Sequence, residues 1–140
     1  MATTNKGLNT PANNTYVNDW DVPVNANWNS IDSSLGGVTT ISVTGASGAT
    51  TLTLTQYTPP TIVFTGTLTA NLTYNLPSGV GGVWSFYNNT SGSYTITIAS
   101  LGGGTSYALP QGYRTQLLCD GTNVAPTTTA PSTSSVTTFS

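Results

Sequence analysis

The 140-residue chain has no histidine, one cysteine and only six charged residues: Lys6 and Arg114 against Asp19, Asp21, Asp32 and Asp120, with no glutamate. That is 4% charged, where about 25% is usual for a soluble domain. Each absence excludes something. Without histidine or glutamate, and with four scattered aspartates, the usual parts of a hydrolytic, metal-dependent or thiol active site are missing, so the chain does not read as an enzyme and no cofactor or metal is expected. Two cations cannot neutralise a row of phosphates, so no nucleic-acid partner is expected. No apolar run approaches the length of a membrane span and no basic segment precedes an apolar stretch, so neither a membrane partner nor a secretory signal is expected. A lone Cys119 makes no intrachain disulfide, which fits folding in a reducing cytoplasm. Set between Leu118 and Asp120 with no nearby histidine or lysine, it reads as a small buried hydrophobe.

What is present is threonine, serine and asparagine in abundance, with 36% apolar and 9% aromatic residues. Disordered chains combine low hydrophobicity with high net charge, whereas threonine and aromatics suit β-strands. The expected class is all-β. Like-charge repulsion that keeps copies apart is nearly absent, so specific association is also expected.

Three regions follow. Residues 1–37 form an arm and a short helix. Over 1–18 there is no sustained periodicity, and Gly7, Pro11 and the asparagines favour turns. From Val24 the apolar residues Val24, Trp28, Ile31 and Leu35 recur at the spacing of one helical face, and Gly36-Gly37 ends it. A helix this short is unstable alone in water, so its tryptophan-bearing stripe must dock either on its own β domain or on a neighbouring subunit. Residues 38–125 switch to a period of two. Strands are predicted over 38–44, 50–57, 61–65, 68–76, 83–87, 94–99, 113–119 and 123–125, between turn clusters rich in glycine, proline and asparagine. Seven or eight such strands predict an antiparallel β-sandwich or jelly-roll-like domain. Their wet faces carry threonine in place of charge, so uncharged edges require cover, most simply by a symmetric homotrimer. Residues 126–140, a proline, threonine and serine tract with Val136 and Phe139, read as an extended tail.

The remaining candidates have plain readings. Asp19, Asp21 and Asp32 lack the spacing of a calcium loop and read as turn and helix-start residues. Asp120-Gly121 reads as a hairpin turn. The sequons at Asn13, Asn71, Asn88 and Asn89 follow from composition. The glycines at 79–82 and 102–104 precede no phosphate-loop lysine and read as turns. Lys6 and Arg114 are candidates for pairing with an aspartate across an interface. The seven tyrosines and Trp84 offer either packing or an aromatic platform.

The stretch NKGLNTPANNTYVNDWDVPVNANWNSIDSSLGG, in which Trp20, Asn25, Asn27, Trp28, Ile31, Asp32, Leu35, Gly36 and Gly37 lead from a tryptophan turn into a helix, resembles the start of many tailed-bacteriophage tail-fibre and head-fibre proteins. The region NLPSGVGGVWSFYNNTSGSYTITIASLGGGTSYALPQGYRTQLLCDGTNV is similar to a phage β module. The two cover most of residues 5–124, and neither brings a residue of known catalytic role. The resemblance implies a virion structural protein, often a homotrimer, made in the bacterial cytoplasm and attached through its N-terminal region. The chain has neither the shaft nor the tip of a long fibre, so a capsid decoration (cement) or head-fibre protein fits best. Its partners would be itself and the major capsid protein or other virion proteins. The virion anchor would be Trp20, Val24, Trp28, Ile31 and Leu35. The alternative is a tail-fibre, receptor-binding or carbohydrate-binding β module whose partner is a host surface glycan.

Overall fold

The structure, a computed structural model, describes residues 6–128. Helix α1 spans Asp21–Gly36. It stops where the sequence places two glycines: a Cβ on Gly37 would lie 2.5 Å from the Ser33 carbonyl oxygen, which accepts the Gly37 N–H at 2.8 Å. Only glycine fits that turn away from the helix.

The chain then alternates between two sheets. Strands β1 (Val38–Ser42), β3 (Thr61–Thr67) and β5 (Gly81–Ser91) lie side by side in one, followed by β8 (Arg114–Asp120) and β9 (Val124–Pro126). Strands β2 (Gly48–Thr51), β4 (Leu72–Leu76), β6 (Ile96–Ser100) and β7 (Tyr107–Leu109) make the other. The expectation of a mainly β protein holds. The expectation of a purely antiparallel sandwich does not, because β1, β3 and β5 pair in parallel, as do β2, β4 and β6. Val38 stands beside Thr61 and Thr61 beside Ser85, so the chain returns to the same place after 23 and then 24 residues. These are three turns of a flattened coil, each turn laying one strand in each sheet. The turn clusters between them are corners from sheet to sheet, not hairpins within one. Only the last strands reverse: β7, β8 and β9 all pair antiparallel and close the C-terminal end.

Side chains at equivalent points of successive turns stack into inward columns. Ile41, Phe64 and Asn88 form one, and Leu72, Ile96 and Leu109 another. The two sheets share one core, in which the Phe64 and Tyr74 rings lie 4.8 Å apart. Asn88, fully buried, marks the end of the coil. Its Nδ2 donates to the Leu109 carbonyl at 2.9 Å and its Oδ1 accepts from Thr90 at 2.6 Å, so the polar group is satisfied and fastens the closing segment.

Two local differences have simple causes. The run TLTLT reads as a strand over 50–57, yet helix α2 occupies Leu54–Tyr57. Thr53 and Gln56 form a reciprocal capping box, a helix-start signature that outweighs the alternation. Strand β7 (Tyr107–Leu109) falls between the turn cluster at 101–104 and the strand predicted from 113, in a stretch for which no strand is predicted. At the other end, Asp120 accepts N–H bonds from Thr122 and Asn123 and shapes the β8–β9 hairpin turn. Pairing continues to Thr127, which donates to the Gln116 carbonyl, beyond the expected boundary at 125. The rest of the predicted tail, 129–140 with Val136 and Phe139, lies outside the described residues.

Candidate interaction site

The arm from Lys6 to Asn9 is held against α1 by side chains that sequence periodicity leaves unassigned. Asn27 acts as a strand edge: its Oδ1 accepts the Asn9 N–H at 2.6 Å and its Nδ2 donates to the Asn9 carbonyl at 3.0 Å. Ser30 donates to the Lys6 carbonyl at 3.2 Å. Lys6 in turn reaches the β body, where its Nζ lies 3.4 Å from the Thr58 carbonyl and 5.9 Å from the centre of the Trp84 ring. Partial burial holds the Lys6 ammonium below its ordinary pKa, the direction expected when a cation loses water. The face of α1 that carries Ala26, Ser30 and Ser33 looks towards Leu54 and Thr58 across a shallow cleft. Small and polar residues therefore connect the helix to the arm and body.

The apolar stripe points elsewhere. Trp20 is 66% exposed, Trp28 64% and Leu35 78%. Val24 is exposed and Ile31 half-buried. The structure thus brings all five predicted anchor residues onto one side of the helix and its entry turn, and packs none of them into the core. The contrast with Trp84, 2% exposed, is direct: of three tryptophans, one belongs to the core and two are bare. Beyond the helix the patch continues through Val17, 73% exposed. Val17, Trp20, Pro23 and Val24 line an open groove of about 470 Å³ with Pro11 and Tyr16 of the arm. Scattered exposed hydrophobics are ordinary, but a contiguous patch with two tryptophans marks a contact surface.

Other candidates distribute as follows. Tyr57 and Tyr74 are core residues whose phenols burial pushes above the ordinary pKa. Arg114 stacks 4.0 Å from the Tyr87 ring centre. Tyr94 and Tyr107 border a second shallow groove of about 420 Å³ that also includes Ser93 and Gln111. Cys119 is a buried free thiol. Asp19 and Asp21 sit at the start of α1, where the Asp19 carbonyl accepts the Val22 N–H. Among the described residues no cluster of three metal-ligating side chains occurs, and no helix is long and apolar enough to cross a membrane. Threonine and serine coat the outer edges. Strand β2 is exposed throughout, and among the described residues β1 and β2 each have an unpaired side.

Compared with family models, with curated proteins and with solved structures, the chain shows no match.

Proposed function

We propose that the chain is a non-enzymatic bacteriophage virion protein, a capsid decoration or head-fibre protein that binds and stabilises the assembled capsid as a homo-oligomer. The observation that carries the reading is the stripe of exposed Trp20, Val24, Trp28 and Leu35 with half-buried Ile31, lying in the segment whose motifs resemble phage fibre proteins. Burying a side chain of this size contributes roughly 1.5–3 kcal/mol. The N-terminal module therefore holds enough apolar surface to couple one copy to its partners in a particle. The coiled β body is the part displayed. Its uncharged, unpaired β1 and β2 edges add to the case for assembly, since exposed edges without charge invite pairing. Several copies joined together would bind a lattice with an avidity far above that of one anchor. Binding only to the closed shell would then shift the shell away from disassembly.

Purified virions test this. The expected result is many copies of the chain per particle and loss of heat resistance in particles lacking it. A few copies confined to the tail would overturn the capsid assignment and favour the second reading, a receptor-binding or carbohydrate-binding module. That reading draws on the groove bordered by Tyr94 and Tyr107, because aromatic faces with a few polar groups suit sugars. Glycan binding by the purified chain, lost in Tyr94→Ala, would support it.

A further inference from the structure

Helix α1 is poorly equipped to be a helix by itself. Asn25, Asn27, Asn29, Ser30, Ser33 and Ser34 fill six of its 16 positions, residue types whose side chains compete for the helical backbone. Trp20 at the N-cap makes no side-chain cap bond, and the last turn has no basic residue. Pro23 is the helix's one buried residue, and the core shared by the two sheets takes no member from α1. Near this length even alanine-rich helices are marginal in water, so α1 is held helical from outside.

What holds it is the arm. From Asn9 back to Lys6 the chain runs antiparallel to α1, with Asn9 bonded to Asn27 in both directions and the Lys6 carbonyl bonded to Ser30. The same four residues rest on the β body. Lys6 Nζ donates to the Thr58 carbonyl at 3.4 Å, and Gly7 lies so close to Leu54 that a Cβ there would run into that side chain. Gly7 also has a φ of +64°, a conformation that glycine adopts without steric cost. Residues 6–9 thus tie α1 to the α2 corner. Seating them is opposed as well as favoured. Lys6 gives up part of its water for a carbonyl and for the Trp84 ring 5.9 Å away, both neutral, and losing water disfavours a cation.

We propose that residues 6–9 are a strap on which the helical state of α1 depends, strap and helix forming one unit that opens and closes ahead of the β body. A segment with few buried apolar contacts opens at a small fraction of the global stability. With the strap seated, Trp28 and Leu35 stand on an ordered helix. With it lifted, the same residues lie on unsupported chain. The device governs when the apolar stripe is formed, not what covers it, and it holds whether the partner of that stripe is a capsid or another surface. Control of the stripe therefore lies at Lys6 to Asn9, remote from it in sequence. Anything that lifts the arm dissolves the stripe, and anything that grips the ordered stripe seats the arm, because both act on one equilibrium.

Amide hydrogen exchange on the full chain in solution, read at Asp32 and Ser33 of α1 and at Phe86 of β5, separates the strap from intrinsic helix preference. Asn27→Ala combined with Ser30→Ala removes both side-chain ties to the arm while placing the best helix former at two positions of α1. Preference alone would slow exchange at Asp32 and Ser33. Loss of the strap should instead speed it, by on the order of tenfold. Gly7→Val leaves the sequence of α1 untouched, but valine is strained at a positive φ and meets Leu54. It should also speed α1 exchange and weaken the helical part of the far-UV dichroism. Asn25→Ala, at an exposed position of α1 outside the arm's contacts, raises helix preference with the strap intact and should not speed it. Exchange at Phe86 and the cooperative melt of the β body should stay as in the wild type for all three variants. Slower or unchanged α1 exchange in the Asn27→Ala, Ser30→Ala chain overturns the strap. Unaltered α1 exchange in Gly7→Val does so too. Equal acceleration at Phe86 also defeats it, since helix and body would then open as one. None of these outcomes depends on whether virions contain the chain.

Discussion

The indole Nε1–H of Trp84 donates a 2.7 Å hydrogen bond to the main-chain carbonyl of Tyr57. It joins the third turn of the coil to helix α2 in the first. Both residues are core members, and the bond satisfies a polar atom in each. Trp84 therefore serves as more than apolar filling: it sets how far the β5 strand stands from the α2 corner.

Trp84→Phe removes the donor and leaves the Tyr57 carbonyl without it in the core. An unsatisfied buried group costs about 1–3 kcal/mol, so the midpoint of urea unfolding should fall with little change in slope. An unchanged midpoint would show that the bond contributes nothing net.

At the β5–β6 corner, Gly92 has a φ of +101°, and a Cβ there would lie 2.5 Å from the Leu68 carbonyl oxygen. Leu68 is the equivalent corner one turn earlier, its N–H bonded to the Ser91 carbonyl. Gly92→Ala should destabilise by more than about 1 kcal/mol, from conformational strain and from forcing the two turns apart. Gly45→Ala is the comparison: its φ is +76° but a Cβ meets nothing within 4 Å, so it carries the strain alone. Thermal melts of the two should differ, with Gly92→Ala the lower.

N–H bonds from Asn123 and Thr122, then the Asn123 side-chain amide, hold the Asp120 carboxyl below the ordinary carboxylate pKa. A lowered folded-state value means that the contribution is present above about pH 4, the unfolded range, and is lost as pH falls through the folded value. Wild-type stability should slope downward below about pH 4, and Asp120→Asn should flatten that slope. For Tyr57 and Tyr74 the folded values are raised. Their contribution is complete below about pH 10 and is lost above it. Unfolding midpoints measured across pH check both windows.

Asn27 secures the arm through two bonds to Asn9. Asn27→Ala should speed amide hydrogen exchange at Asn9 by roughly tenfold, the equivalent of about 1.4 kcal/mol. Amides of the core strand β5 should be unaffected. Equal acceleration in both would mean that arm and body open together.

Much of the architecture was legible because period-two alternation reports burial directly. Ile96 and Ile98, read as the inward residues of a strand, are fully buried, and the 24–35 stripe with its glycine stop lies inside α1. Helix α2 was legible in principle from Thr53 and Gln56, but the alternating leucines mask it. The parallel pairing was not legible from alternation, because a strand with one inward face reads the same whichever way its neighbour runs. The signal that carries it is a weak recurrence of similar segments every 23 or 24 residues. Inward residues at equivalent points of successive turns differ in size and even in polarity, as Ile41, Phe64 and Asn88 illustrate, so the recurrence is faint.

The sequence alone determined that the chain is β-rich, nearly uncharged and fronted by a helix with one apolar face, since these depend on residue type and short-range spacing. Tertiary structure decided which strands became neighbours, and that the arm would take the polar side of α1 through Asn27 and Ser30. It thereby decided that Trp28 and Leu35 would stay exposed, with Trp20 open at the edge of the arm groove. Those outcomes depend on contacts between residues far apart in the chain, where a corner's direction or one side-chain amide selects among arrangements that bury similar area.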